Sequence, residues 1–170
     1  MSHNPPIQIV NERDEPIGGM PITKSYEQGL IHRVVYVIVE DEHRNILVQK
    51  RSPYMVSQPN CWDISAAGHV DFGEEYLDAA IRETHEELGL KNQNLIEIGS
   101  FFKQGPINNK IQKRFVKVYK VSIAQETPIN FDKGEVTEVK WMSIEEIRKL
   151  IKEQPNKAGI GLMDCIEKYY

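Results

Sequence analysis

Three glutamates, Glu83, Glu86 and Glu87, are spaced three and four residues apart within Glu75–Leu88, where apolar residues recur at helical spacing. On a helix that spacing makes the carboxylates neighbours, and like charges so placed cost about 0.2–0.5 kcal/mol per pair. They also fall near the expected C-terminal end, where the helix dipole disfavours anions. Stability alone would not favour such a helix. A hard divalent cation such as Mg²⁺ removes the penalty, because it binds clustered carboxylate oxygens. An isolated Glu-x-x-Glu-Glu is ordinarily a solvated face, but the neighbours here change its meaning. Arg82 stands four residues before Glu86 and can pair with it. Glu74 precedes the helix, at the favourable end of the dipole. Ahead of it, Gly68–Gly73 is a glycine-bounded loop that lets backbone groups approach a ligand.

Strand-like segments surround this helix. Ile7–Asn11 reads as a short strand followed by a turn-rich hairpin over Arg13–Gly19. Ile31–Glu40 is apolar on both alternating faces, so it should be buried on both sides. The turn Asp41–Asn45 leads into Ile46–Lys50, and so short a link predicts antiparallel neighbours. Arg51–Asn60 is a loop, and Trp62–Ala67 a small-residue strand ending at Gly68. In Glu75–Leu88 the stripe Leu77, Ala80, Ile81, Thr84 and Leu88 should meet the core, with the glutamates opposite and Gly89 as the stop. Leu95–Lys103 and Arg114–Ile123 read as strands around a turn at Gly105, Pro106 and Asn108–Asn109. Val136–Met142 is a further strand. Ser143–Glu146 is a capping box that starts a helix, and Ala158–Tyr169 reads as the last helix. Strands mixed with helices in this way predict a layered α/β sandwich.

Composition narrows the classes. The 170 residues fit one domain. No apolar run approaches membrane-spanning length. The N-terminal residues lack a basic segment followed by an apolar one, so no signal peptide is expected. A net charge of -4 argues against a nucleic-acid or membrane-surface partner. Cys61 and Cys165 are far apart and offer no metal-ligand spacing, which suits a reducing, cytoplasmic setting.

From Gly68 the residues read GHVDFGEEYLDAAIRETHEELGL. This resembles the Nudix box, G-x5-E-x7-R-E-U-x-E-E-x-G-U with U a bulky apolar residue; Thr84 is the one departure. The resemblance implies a Nudix α/β/α sandwich with a mixed central sheet. It would have an N-terminal hairpin over residues 1–30, the Nudix core over 31–153 and a C-terminal helix over 154–170. It implies that Glu83, Glu86 and Glu87 bind Mg²⁺ or Mn²⁺ with a backbone carbonyl of Gly68 or Ala67. Arg82 would orient them, and Glu74 would support Arg82. The implied reaction is hydrolysis of a nucleoside diphosphate linked to another group, or of a related small molecule, with Glu86 or Glu83 as general base. The family also allows a homodimer, for which the sequence gives no direct sign.

The flanks, including Gly29–Arg33, Ile46–Arg51 and Trp62–Ser65, are similar to isopentenyl-diphosphate isomerases, which share this fold. Those enzymes need a cysteine just before the Gly-His matched by Gly68-His69. Ala66 and Ala67 stand there instead, while the full Nudix box is kept. The reading is therefore a hydrolase, with an isomerase-like enzyme or a catalytically silent binding module as alternatives. Arg33, Lys50, Arg51 and His69 are the candidate substrate-binding residues. The basic strip Lys110, Lys113, Arg114, Lys117 and Lys120 reads as a solvated edge strand, and Trp62 and Phe72 as core residues.

Overall fold

The computed structural model describes residues 5–107 and 110–170. Its organising element is the strand Ile31–Glu40, β3 in chain order after β1 (Ile7–Val10) and β2 (Pro16–Met20). Side chains alternate across a strand, and here both faces are apolar. Val35, Val37 and Val39 enter one core cluster, and Val34, Tyr36 and Ile38 the other. The first cluster is covered by α2 (Tyr76–Leu88), through Ala79, Ala80 and Leu88. The second is covered by α3 (Ile144–Glu153) and α4 (Ile160–Tyr169), through Ile147, Leu162, Cys165 and Ile166. Helices on both faces of one sheet make the α/β/α sandwich.

The sheet is mixed. β3 runs parallel to β8 (Lys110–Ser122) over a register from Ile31↔Lys113 to Glu40↔Ser122. On its other side β3 pairs antiparallel with β6 (Ala66–His69). β7 (Ile96–Ile107) lies outside β8. A second group is built on β4 (Ile46–Arg51), which pairs with β5 (Trp62–Asp63) and β9 (Val136–Met142).

Several expectations change. β3 and β4 are antiparallel, but they meet only at Glu40↔Ile46 before diverging. The strand expected over Trp62–Ala67 is broken, with β5 on one side of the resulting cleft and β6 on the other. Within the break, the Ser65 hydroxyl donates to the Leu47 carbonyl and accepts from the Val39 amide, stitching the two groups together. The short helix α1 (Ile22–Glu27) escaped the sequence reading because it has six residues and no side-chain cap. β8 is not an edge strand: it lies between β3 and β7, and Arg114 within it is buried. Gly105 and Pro106 belong to β7 rather than to a turn, and Asn108–Asn109 fall outside the described residues. Phe72 is exposed rather than in the core. The capping box at Ser143 forms as expected, with both reciprocal hydrogen bonds present.

Candidate active site

The helix α2 is rotated from its expected setting. Leu77 and Ile81 are 43% and 42% exposed, while Tyr76, Ala79, Ala80, Thr84, Glu87 and Leu88 are buried. Ala80, Thr84 and Leu88 of the expected stripe are buried as expected, but the small Ala79, with Tyr76 and Glu87, takes the place expected for Leu77 and Ile81. The glutamates therefore do not form an outer patch. Glu87 is buried and accepts a short hydrogen bond from the Gln49 amide on β4. Glu83 has a side chain only 12% exposed, and Glu86, at 57%, faces solvent.

Arg82 ties four residues together. Its guanidinium donates twice to Glu74, through Nε and Nη2 at 2.9 Å each. Nη1 donates to Glu83 at 2.6 Å and to Glu86 at 3.2 Å. Nη2 also donates to the His69 carbonyl of β6 at 2.9 Å. Glu74 accepts from the Asp71 amide as well, which closes the loop between Gly68 and α2. Burial opposes the Glu74 charge, but Arg82 and this amide outweigh it and hold the pKa below the usual carboxylate range.

Gly68 shows why its position takes no side chain. A Cβ there would lie 1.9 Å from Glu83 Oε1, so the carboxylate rests directly on the β6 backbone. Burial pushes the Glu83 pKa up to about 7, against the pull of Arg82. Burial, and then Glu83 itself, raises Glu87 well above the ordinary carboxylate value. The described residues hold no group of three or more His, Cys, Asp or Glu side chains already converged on a single ion position. The glutamates are instead coupled through space, with Arg82 occupying Glu83 and Glu86.

A further acid, missed in the sequence, belongs to this neighbourhood. Glu135 precedes β9, and its raised pKa comes from burial first and then from Asp132. It interacts electrostatically with Glu83, Glu87 and Glu86. Its loop is docked on the end of α2: the Asn130 and Asp132 amides donate to the Leu88 and Glu87 carbonyls, which lack partners within the helix. The Glu135 carbonyl also accepts from the Ser52 amide at 2.7 Å. No fixed spacing relates Glu135 to the glutamate helix. The turn sequence Asp132-Lys133-Gly134 is the only local sign.

The four candidate substrate contacts separate. Arg51 shares its strand face with Gln49, approaches Asp63 at 3.8 Å and acts electrostatically on Glu87 and Glu135. Lys50 points the other way, over Trp62 and 4.0 Å from Glu138. Arg33 is occupied by Asp14, with Nε 2.7 Å from Oδ1, and lies over the Tyr76 ring. The His69 side chain leaves the glutamates for the opposite face of the sheet, where its Nε2 and the Tyr26 hydroxyl are 2.7 Å apart.

The sequence matches the NUDIX domain over residues 30–161. The chain belongs to the Nudix family. It is 32% identical to the uncharacterized Nudix hydrolase PA4841 of Pseudomonas aeruginosa over 148 residues, 85% of this chain and 84% of that protein. It is 31% identical to isopentenyl-diphosphate Delta-isomerase 2 of Photorhabdus laumondii over 149 residues, 87% of this chain and 82% of that protein. In fold it is similar to DR0079 from Deinococcus radiodurans, with a TM-score of 0.80, 24% identity and coverage of 96% and 98% of the two chains. The NUDIX domain of Shewanella oneidensis NrtR, solved with ADP-ribose, superposes with a TM-score of 0.63 at 12% identity over 87% and 96%. These two likenesses concern fold. No helix among the described residues is long and apolar enough to cross a membrane.

Proposed function

We propose that this Nudix protein is a pyrophosphohydrolase that uses Mg²⁺ or Mn²⁺ to cleave the diphosphate linkage of a nucleoside diphosphate derivative or a related small molecule. The observation that carries the reading is a pair of carboxylates on α2, Glu83 resting on Gly68 and the buried Glu87, whose pKa values desolvation drives upward. Arg82 is one positive charge shared among Glu74, Glu83 and Glu86. The excess negative charge fits a hard cation, with Glu83, Glu86, Glu87 and the Gly68 carbonyl as its oxygen donors. Bound there, the ion supplies charge neutralisation for the diphosphate and Lewis acidity toward phosphorus.

The remaining work falls to side chains. Arg82, fixed by the bidentate Glu74 contact, sets the position of Glu83 and Glu86. Water attacks phosphorus, the bond from phosphorus to the bridging oxygen breaks, and the water proton passes to a carboxylate. A base works best with a pKa near the working pH. Glu83 and the exposed Glu86 are the two candidates, and a cation bound beside them would favour the charged form of either. Arg51, which acts electrostatically on Glu87 and Glu135, would be the cation that meets a phosphate.

Identity to an isomerase favours a second reading, in which the protein isomerises a prenyl diphosphate. Ala66 and Ala67 argue against it. Neither cysteine compensates, since the Cys61 thiol donates to the Asn156 carbonyl and Cys165, on the buried face of α4, lies in the core. The test is a panel of ADP-ribose, other nucleoside diphosphate derivatives and isopentenyl diphosphate, with Mg²⁺ or Mn²⁺. Hydrolysis that disappears in Glu86→Gln supports the proposal. Isomerisation without hydrolysis supports the second reading, and binding without turnover makes the protein a ligand-binding module.

A further inference from the structure

Among the described residues, three buried side-chain atoms have no hydrogen-bond partner: His32 Nε2, Arg114 Nε and Asp164 Oδ2. All three lie on the sheet face opposite α2. His32 on β3 is in register with Arg114 on β8, and Arg114 with Lys103 on β7. Lys103 is ion-paired with Asp164 of α4. The rings of His69 and Tyr26 stand 5.3 and 5.4 Å from the His32 ring and form the half-exposed side of the cluster.

Each unpartnered buried polar atom in a native fold calls for a cause. Arg114 is 8% exposed, and no carboxylate among the described residues pairs with it. Asp164 is taken by Lys103, and Asp63 by Arg51 and the Ile64 and Leu162 amides. A buried cation without a counterion is costly. His32 Nδ1 faces the Leu30 carbonyl at 3.4 Å, so its proton belongs there and Nε2 is left as an acceptor. A single group that served them would accept from Arg114 and donate to His32 or Asp164. A hydroxyl group does both. An alkyl or prenyl chain does neither.

The cluster is separated from the glutamates by β6 alone. Gly68 touches Glu83 on one face, and His69, whose carbonyl holds Arg82, turns its ring into the cluster on the other. We infer that Arg114, His32 and Asp164, flanked by Tyr26 and His69, form the subsite for a hydroxyl-rich, ribose-like part of the diphosphate substrate. The inference rests on the hydrolase reading for the word substrate, but its test reads binding, so the two can fail separately.

ADP-ribose, ADP, ribose 5-phosphate, inorganic pyrophosphate and isopentenyl diphosphate are titrated into the Glu86→Gln protein, alone and combined with Arg114→Met. Affinity is read by calorimetry, and the His32 ring by nitrogen NMR. ADP-ribose should shift the His32 Nε2 signal, and losing the arginine should weaken its binding about tenfold while pyrophosphate binding stays constant. A shift with ADP assigns the nucleoside ribose, and one with ribose 5-phosphate alone assigns the distal sugar. Arg114→Lys, which keeps the charge and loses the Nε donor, replaces Arg114→Met if the latter does not fold. The proposal is overturned if no sugar-bearing ligand binds. It is overturned also if one binds without moving His32, which leaves ordered water as the partner, or if isopentenyl diphosphate binds as tightly and depends equally on Arg114.

Discussion

The two faces of β6 leave opposite kinds of buried polar group unmatched. On the α2 face, carboxylates outnumber cations: Arg82 serves Glu74, Glu83 and Glu86, while Glu87 accepts from the Gln49 amide and feels Arg51 only through space. On the α4 face, Arg114 has no carboxylate partner among the described residues and His32 offers a bare acceptor. Burial makes either imbalance costly, and the cure differs in sign. The first face gains from a cation, and the second from a polar ligand. One short strand separates these two demands, and the subsite inferred above has a single small molecule meet both.

Breaking the α2 face should give the largest effects. Glu83→Gln should lower kcat by about 100-fold or more, as expected when a proton-transferring group is removed, in steady-state assays with Mg²⁺. The same change should raise the melting temperature of the metal-free protein at pH 8, because it deletes a buried charge. A loss of both activity and metal-free stability would contradict the charge imbalance. Arg82→Ala should act differently. It leaves Glu74 and Glu83 buried without their cation, so it should destabilise by about 3 kcal/mol as well as reduce activity, measured by denaturant unfolding. Gly68→Ala should follow, with the new methyl displacing Glu83 at a cost of about 1–3 kcal/mol and a fall in kcat.

The pH dependence sharpens the comparison. The Glu83 pKa rises from 4.5 to about 7 on folding, so between those values the native state binds the extra proton. Stability of the metal-free protein should thus fall as pH rises from about 4.5 through 7, and stay lowered above that. Thermal melts across this range, repeated with Mg²⁺, should show the loss removed by the ion. The smallest effect belongs to the pair Lys50 and Arg51. Lys50→Ala should change kcat/KM by less than about twofold, and Arg51→Ala by about tenfold, one side-chain hydrogen bond to a charged group.

Much of this was legible in the chain. The two-sided apolar run of β3, the capping box at Ser143 and the stop at Gly89 each follow from local rules, and each forms. The glutamate spacing identified α2 and its neighbours Arg82 and Glu74. The facing of α2 was not legible, because the small Ala79, with Tyr76 and Glu87, takes the place expected for the larger Leu77 and Ile81. Glu135 and Arg114 were hidden for another reason. Their environments come from loop docking and from the parallel β3–β8 pairing, which brings together residues distant in sequence. A basic strip read along β8 looks like a solvated edge until the β7 strand outside it is known.

The most direct test of the central claim is hydrolysis of the panel of nucleoside diphosphate derivatives by the wild type and by Glu83→Gln, each with Mg²⁺ and with chelator. The account predicts turnover in the wild type with Mg²⁺ alone, and none above background in the other three arms. Equal turnover with chelator, or undiminished turnover in Glu83→Gln, would contradict it.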